Sequence, residues 1–182
     1  VPNVSEEPAR KVPPPVPPKI DSRTPEANWS DTFFDDDYVS TLDPPHPKKT
    51  QYEVEFLYTQ LELAPGMKVL DVGCADGRHA IGLVARGVQA LGIDISVAFL
   101  LTANQAAQET GQPATFIKKD MREYVPASLL NAVICFGGSF GYFSDTENAD
   151  LLHRFASWLV PGGKLLLEVM HRDYVVSQLP SR

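Results

Sequence analysis

The amino-acid sequence predicts an α/β domain organised around a doubly wound, mostly parallel sheet. Three observations carry this expectation. From residue 50 onward, short apolar segments alternate with segments of helical periodicity, the rhythm of βαβ units with right-handed crossovers. The segment over 132–136 (AVICF) is apolar on both faces, as a central parallel strand must be. Gly87 and Gly111 stand just past the ends of helical patterns, where glycine stops a helix.

Each element follows from its residues. Thr50 and Glu53 have the spacing of a capping box, and Val54, Leu57, Tyr58 and Leu61 then share a face, so a helix is expected from 50 until Pro65 and Gly66 end it. A first strand is expected over 68–72. A glycine-bearing turn leads to a helix over 78–86 and a second strand over 88–93. Ser96 is placed to cap a helix over 97–110, and a third strand follows over 114–118. After the fourth strand, Asp145 or Thr146 opens a helix with Leu151, Leu152, Phe155, Leu159 and Val160 as its buried stripe. Pro161, Gly162 and Gly163 then turn the chain into a fifth strand over 164–169. There is no internal repeat.

The first 49 residues differ in character. Of the 16 prolines, 11 fall at or before Pro47. Proline lacks an amide donor and fixes φ, so residues 1–26 read as an extended polyproline II arm. Its lysine-flanked P-x-x-P spacing also fits aromatic-lined grooves, a match common in plain proline-rich linkers. Residues 27–49 are aromatic and acidic, with Trp29, Phe33, Phe34 and Tyr38 needing a surface to pack on. They are expected to dock on the following domain or to cover a ligand. Residues 50–182 form the domain itself. Val1 in place of Met, and an Arg182 that closes no recognisable element, make the sequence read as a piece of a longer chain.

Composition excludes several classes. The formal net charge of −7 argues against unaided binding to nucleic acid or to an anionic membrane. A hydrophobic share of 43% is enough for a core. No apolar run approaches the roughly 18 residues of a membrane span, and no signal peptide opens the chain. Two cysteines, Cys74 and Cys135, are too few for a disulfide framework or a zinc site, and no metal is expected. They suit a reducing, cytoplasmic setting.

The chemistry lies between Asp71 and Gly77. An acid closes the first strand, and Gly73 and Gly77 bracket a tight turn into a helix. Open α/β sheets bind ligands at such strand ends, so a nucleotide site is expected. A dinucleotide fingerprint starting at Gly73 would need glycines where Ala75 and Arg78 stand, and no P-loop occurs. An oxidoreductase with an atypical fingerprint is therefore the weaker alternative.

The D-x-G-x-A-x-G run at 71–77 resembles motif I of class I S-adenosylmethionine (SAM) dependent methyltransferases. Asp94 ends the second strand where that family places its ribose-binding acid, and Asp120 follows the third where an acid accepts from the adenine amino group. The segments 136–143 (FGGSFGYF) and 159–164 (LVPGGK) resemble signatures of a branch rich in small-molecule methyltransferases. The resemblance covers about residues 50–175, with the motifs in the family's order. It implies a Rossmann-like sheet of order 3-2-1-4-5 with helices on both faces. The implied activity is methyl transfer from SAM to a small-molecule acceptor, leaving S-adenosylhomocysteine, with no nucleic-acid or membrane partner. A non-catalytic SAM-binding module is the alternative.

By the same resemblance the cofactor-binding residues are Asp71 (near the methionine amino group), Gly73, Cys74, Gly77, Asp94, Ile95, Asp120, Met121 and Phe136. Cys74 reads as a small residue over the cofactor rather than a nucleophile, His79 as a packed histidine, and Arg78 as a surface pair. The acceptor-side candidates are Tyr142, to orient the acceptor, and His171, as a base. Two departures matter. Ala75 replaces the middle glycine of the motif, and the turn is expected to survive with Ala75 at negative φ. The family's elements after the fifth strand are absent, which leaves that strand as an edge open to association with another chain.

Overall fold

A computed structural model describes residues 33–43 and 45–179. The expected arm over 1–26, Trp29 and the rest of 27–32 lie outside these residues. The described chain forms α1 (Asp36–Ser40), α2 (Pro47–Gln60), β1 (Lys68–Val72), α3 (Arg78–Val84), β2 (Gln89–Asp94), α4 (Val97–Thr110) and β3 (Thr115–Lys118). It continues with β4 (Leu130–Cys135), α5 (Asp145–Ser157), β5 (Leu159–Leu167) and α6 (Arg172–Gln178).

The five strands are parallel and lie in the order β3-β2-β1-β4-β5, as the sequence predicts. The two faces of the sheet bury different residues because neighbouring side chains on a strand alternate. Val69, Ala132 and Ile134 pack with Val54 and Leu57 of α2 and with Ala80 and Leu83 of α3. Leu70, Val72 and Val133 pack on the other face with Leu151, Phe155 and Trp158. Gly82 is the contact point between α2 and α3, since a Cβ there would stand 2.6 Å from a Val54 methyl. β3 and β5 are the edges of the sheet among the described residues.

Three local expectations are corrected. The first helix begins at Pro47, a residue whose missing amide suits the first turn, with the His46 side chain accepting from the Lys48 amide. Thr50 and Glu53 therefore lie inside the helix and make no capping box. The capping box of this chain is at Ser144 and Glu147, where α5 starts. Leu159 and Val160 are not part of a helical stripe. Leu159 already pairs with Leu130 in β5, and pairing resumes at Lys164 with Ala132, so residues 160–163 bulge opposite Asn131.

Candidate active site

β1 and β2 end side by side, and the turn after β1 is hung on β2. The amides of Gly73 and Cys74 both donate to the Ile93 carbonyl, at 2.9 and 3.1 Å. Asp94 completes the brace: its Oδ2 accepts from the Ala75 amide and its Oδ1 from the Ser96 amide, each at 2.9 Å. Burial raises the Asp94 pKa against these hydrogen bonds.

The turn is made of alternating left-handed residues: Gly73 (φ 69), Ala75 (φ 46) and Gly77 (φ 72). Ala75 thus takes the conformation of the glycine it replaces, contrary to the negative φ expected of it. The reason is the brace, because the Ala75 amide must point at Asp94. At Gly73 a Cβ would meet Ser139 at 2.5 Å, and at Gly77 it would run into the Phe116 ring. Both glycines are required by backbone angle and by space.

A cavity of about 540 Å³ opens at these strand ends. Gly73, Cys74, Asp94, Ile95, Asp120, Met121 and Phe136 border it, as do Ser139 and Tyr142. Asp71 and Gly77 do not. Gly77 packs behind the turn, and Asp71 is 1% exposed beneath it, with its Oδ2 buried and without a hydrogen-bond partner. Burial pushes the Asp71 carboxyl up to about 7; the Arg78 charge opposes this and the charges of Asp94 and Asp76 add to it.

Asp120 is held open and ionised by its neighbour. Burial alone raises its pKa, but the fork of Arg122 (Nε to both carboxylate oxygens at 3.1 Å) and the Arg122 amide at 2.8 Å bring it below the ordinary range. Arg122 also lies 4.2 Å over the Phe143 ring.

Below the turn, His79 is buried and its Nε2 stands 3.0 Å from Glu53 Oε2. Burial and then the Arg78 charge lower the His79 pKa, so the ring is neutral. Burial pushes Glu53 up, but the His79 hydrogen bond and the charges of Arg78 and Lys49 leave it below its ordinary value. An ionised carboxylate only accepts, so the proton sits on His79 Nε2. Arg78, expected on the surface, is instead partly buried at the cavity, paired with Asp76 at 3.3 Å and Glu53 at 3.5 Å. Cys74 and Cys135 are buried, and burial raises both thiols, Cys135 to about 12.

Another part of the lining comes from the segment before α2. Phe34, Tyr38, Val39 and Leu42 border the cavity, and the Ser96 hydroxyl donates to the Phe34 carbonyl at 2.6 Å. Ser96 also caps α4, its Oγ accepting from the Phe99 amide at 3.3 Å. Tyr38 packs edge-on to Phe99, and Phe34 edge-on to Tyr142. The sequence reading missed Phe99 and Thr102, which reach the cavity from α4. For Phe99 the signal was the Ser96 cap, since the first turn of a helix that starts at a strand end faces that end; Thr102, one turn further on, had none. His171 does not border the cavity. It is exposed and caps α6, its Nδ1 accepting from the Tyr174 amide at 3.3 Å.

Among the described residues no group of His, Cys, Asp or Glu is placed to hold a metal, and no helix is long and apolar enough to cross a membrane.

Residues 69–163 match the model of a family described as a methyltransferase domain. A glycine/sarcosine N-methyltransferase of Aphanothece halophytica is 29% identical over 133 residues, covering 71% of this chain and 50% of the relative. A ubiquinone biosynthesis O-methyltransferase of Dechloromonas aromatica is 28% identical, covering 70% of this chain and 59% of the relative. The crystal structure of a SAM-dependent methyltransferase from Geobacter sulfurreducens in complex with S-adenosyl-L-homocysteine superposes with a TM-score of 0.54 at 30% identity, over 69% of this chain and 49% of the other. The chain spans about half the length of the relatives it matches.

Proposed function

The chain belongs to the methyltransferase-domain family, and we propose that it transfers a methyl group from SAM to a small-molecule acceptor. One observation carries the reading. The glycine turn, Asp94 and Asp120 stand at the carboxyl ends of three adjacent parallel strands and border one cavity.

The residues present fit the cofactor. A cavity of about 540 Å³ is within the range of small-molecule sites. Each Asp94 oxygen accepts one backbone amide and keeps a lone pair for a ribose hydroxyl. Asp120 and Met121 would take the adenine, and Gly73 and Cys74 the methionine end, with the buried Asp71 carboxyl behind them. The group supplies, when bound, a methyl already activated on a sulfonium. The chain's own work is then positioning and the exclusion of water. Phe34, Tyr38 and Tyr142 line the remainder of the cavity, where an acceptor would lie. His171 is not carried forward as a base, because its ring is spent on capping α6 outside the cavity.

Calorimetric titration of the chain with S-adenosylhomocysteine tests the reading. Asp94→Ala strands two ribose hydroxyls, and charge-assisted hydrogen bonds are worth about 1.5–3 kcal/mol each, so affinity is expected to fall at least about tenfold. Unchanged affinity in a variant that stays folded by circular dichroism would refute the assignment. The relatives include both an N- and an O-methyltransferase, so similarity leaves the acceptor atom open.

A further inference from the structure

We propose that the acceptor is an amine, received as a cation against the aromatic wall formed by Phe34, Tyr38, Phe99 and Tyr142, with Asp43 at its margin. The proposal rests on the methyl-transfer reading and adds the acceptor's chemical class.

The electrostatics of the cavity carry it. Among the described residues, each lysine or arginine that borders the cavity lies within 4 Å of a carboxylate of the chain. Lys49 lies 3.7 Å from Glu53, Arg78 lies 3.5 Å from Glu53 and 3.3 Å from Asp76, and Lys119 lies 2.8 Å from Glu123. Among the described residues no cation at the cavity is without a carboxylate beside it to receive an anionic acceptor. Asp43 also borders the cavity, and among the described residues it has neither hydrogen bond nor ion pair.

The rings that border the same cavity are set at right angles. Phe34 and Tyr38 stand 5.1 Å apart at 86°, Phe34 and Tyr142 5.8 Å apart at 85°, and Tyr38 and Phe99 6.3 Å apart at 84°. Rings in this arrangement make corners, and a cation lodged in a corner lies over the negative face of a ring. The same faces repel an alkoxide or a carboxylate.

The reaction has the matching change of charge. The bound ammonium first releases one N–H proton to water, and the lone pair so freed forms the new N–CH₃ bond while the S–CH₃ bond of the sulfonium donor breaks, the electron pair of that bond staying on sulfur. Positive charge passes to nitrogen, and the ammonium formed from a primary or secondary amine releases its proton to water. A wall that favours positive charge on the acceptor is therefore aimed at charge that develops during transfer. For an oxygen anion the charge disappears instead, and the wall contributes nothing.

The test compares choline with its uncharged isostere 3,3-dimethylbutan-1-ol as probes, by titration of the full 182-residue chain with and without saturating S-adenosylhomocysteine. That thioether is neutral, so a bound sulfonium does not compete for the wall. Choline is expected to bind at least about threefold more tightly than the alcohol, the size of one exposed cation–π contact. Tyr38→Leu and Asp43→Asn are each expected to bring the ratio toward one while S-adenosylhomocysteine affinity stays within about twofold. Asp43 is exposed, so its variant reads the charge without disturbing the fold. A ratio of one in the unaltered chain, or a ratio that survives both substitutions, overturns the amine assignment. Absence of S-adenosylhomocysteine binding with the choline preference intact strikes the methyl-transfer reading instead.

Discussion

The two walls of the cavity are built in opposite ways. The glycine wall is a run of consecutive residues, 73–76, whose amides are fastened to the Ile93 carbonyl and the Asp94 carboxylate at the end of β2. The aromatic wall is assembled from side chains of three distant segments, and Ser96 joins two of them through one hydroxyl. Damage to the first wall should therefore act through the backbone and be severe, whereas damage to the second should be graded and local.

The sharpest test of that difference is Gly77→Ala. A left-handed φ costs an alanine about 1–2 kcal/mol, and a Cβ driven into Phe116 adds about 1–3 kcal/mol. Denaturant unfolding is expected to show a loss of roughly 3 kcal/mol by these figures. Gly137→Ala is the control. Its φ is also positive (82), but nothing lies within 4 Å of the added carbon, so only the conformational part, about 1–2 kcal/mol, is expected. Equal losses at the two positions would show that packing under the turn is not what makes it rigid.

A second test uses pH. Burial raises Asp71 from the ordinary 3.8 to about 7. Below the lower value both the folded and unfolded chains hold the proton and the contribution to stability is complete. Between the two values the unfolded chain releases it while the folded chain keeps it, so stability falls as pH rises, and the loss is complete above about 7. The slope for one such group approaches about 1.4 kcal/mol per pH unit. Asp71→Asn is expected to flatten the dependence of unfolding free energy on pH across this window. An unchanged slope would mean that the carboxyl is ionised in the folded chain.

On the aromatic wall the effects are smaller. Ser96→Ala removes the cap of α4 and the tie to Phe34, at a cost of about 1–2 kcal/mol. The amides of residues 38–42 are expected to lose hydrogen-exchange protection while β1 and β4 keep theirs. Loss spread evenly over the sheet would show that the wall is an integral part of the core. The smallest effect is a gain. Ala75→Gly relieves a left-handed alanine (φ 46), and a rise in stability of about 1 kcal/mol or less is expected after glycine's extra chain entropy is counted.

The same contrast explains what could be read in the sequence. The glycine wall was legible because its residues are covalent neighbours, and local steric demand writes itself into spacing. Asp94, Ile95, Asp120 and Met121 were named through the family resemblance, and the convergence of strand ends in a doubly wound sheet brings them to one cavity. Phe99 and Thr102 were missed: the Ser96 cap sets the first turn of the helix, with Phe99, at the strand end, but Thr102 lies in the next turn and nothing local marks it as facing the cavity. The sign of φ at Ala75 was misjudged for a related reason. Residue preference argues for a negative angle, but the hydrogen bond to Asp94 comes from another strand and outweighs it. His171 was placed correctly after β5, yet a helix starts there and takes its ring as a cap.

The bulge at residues 160–163 has a consequence for chain length. Pairing between β4 and β5 resumes at Lys164 and Ala132 whatever is looped out before it. A Cβ added at Gly162 would meet nothing within 4 Å, whereas one added at Gly163 would stand 2.9 Å from the Val160 carbonyl oxygen. An insertion between Pro161 and Gly162 therefore only enlarges a loop, whose closure cost grows slowly with length. One residue added two positions after Gly163 slips the register and turns Leu167 from one core cluster to the opposite face. The sheet thus counts residues on one side of Gly163 and not on the other, and Pro161–Gly162 is where a reporter peptide can be spliced while the two strands stay in step.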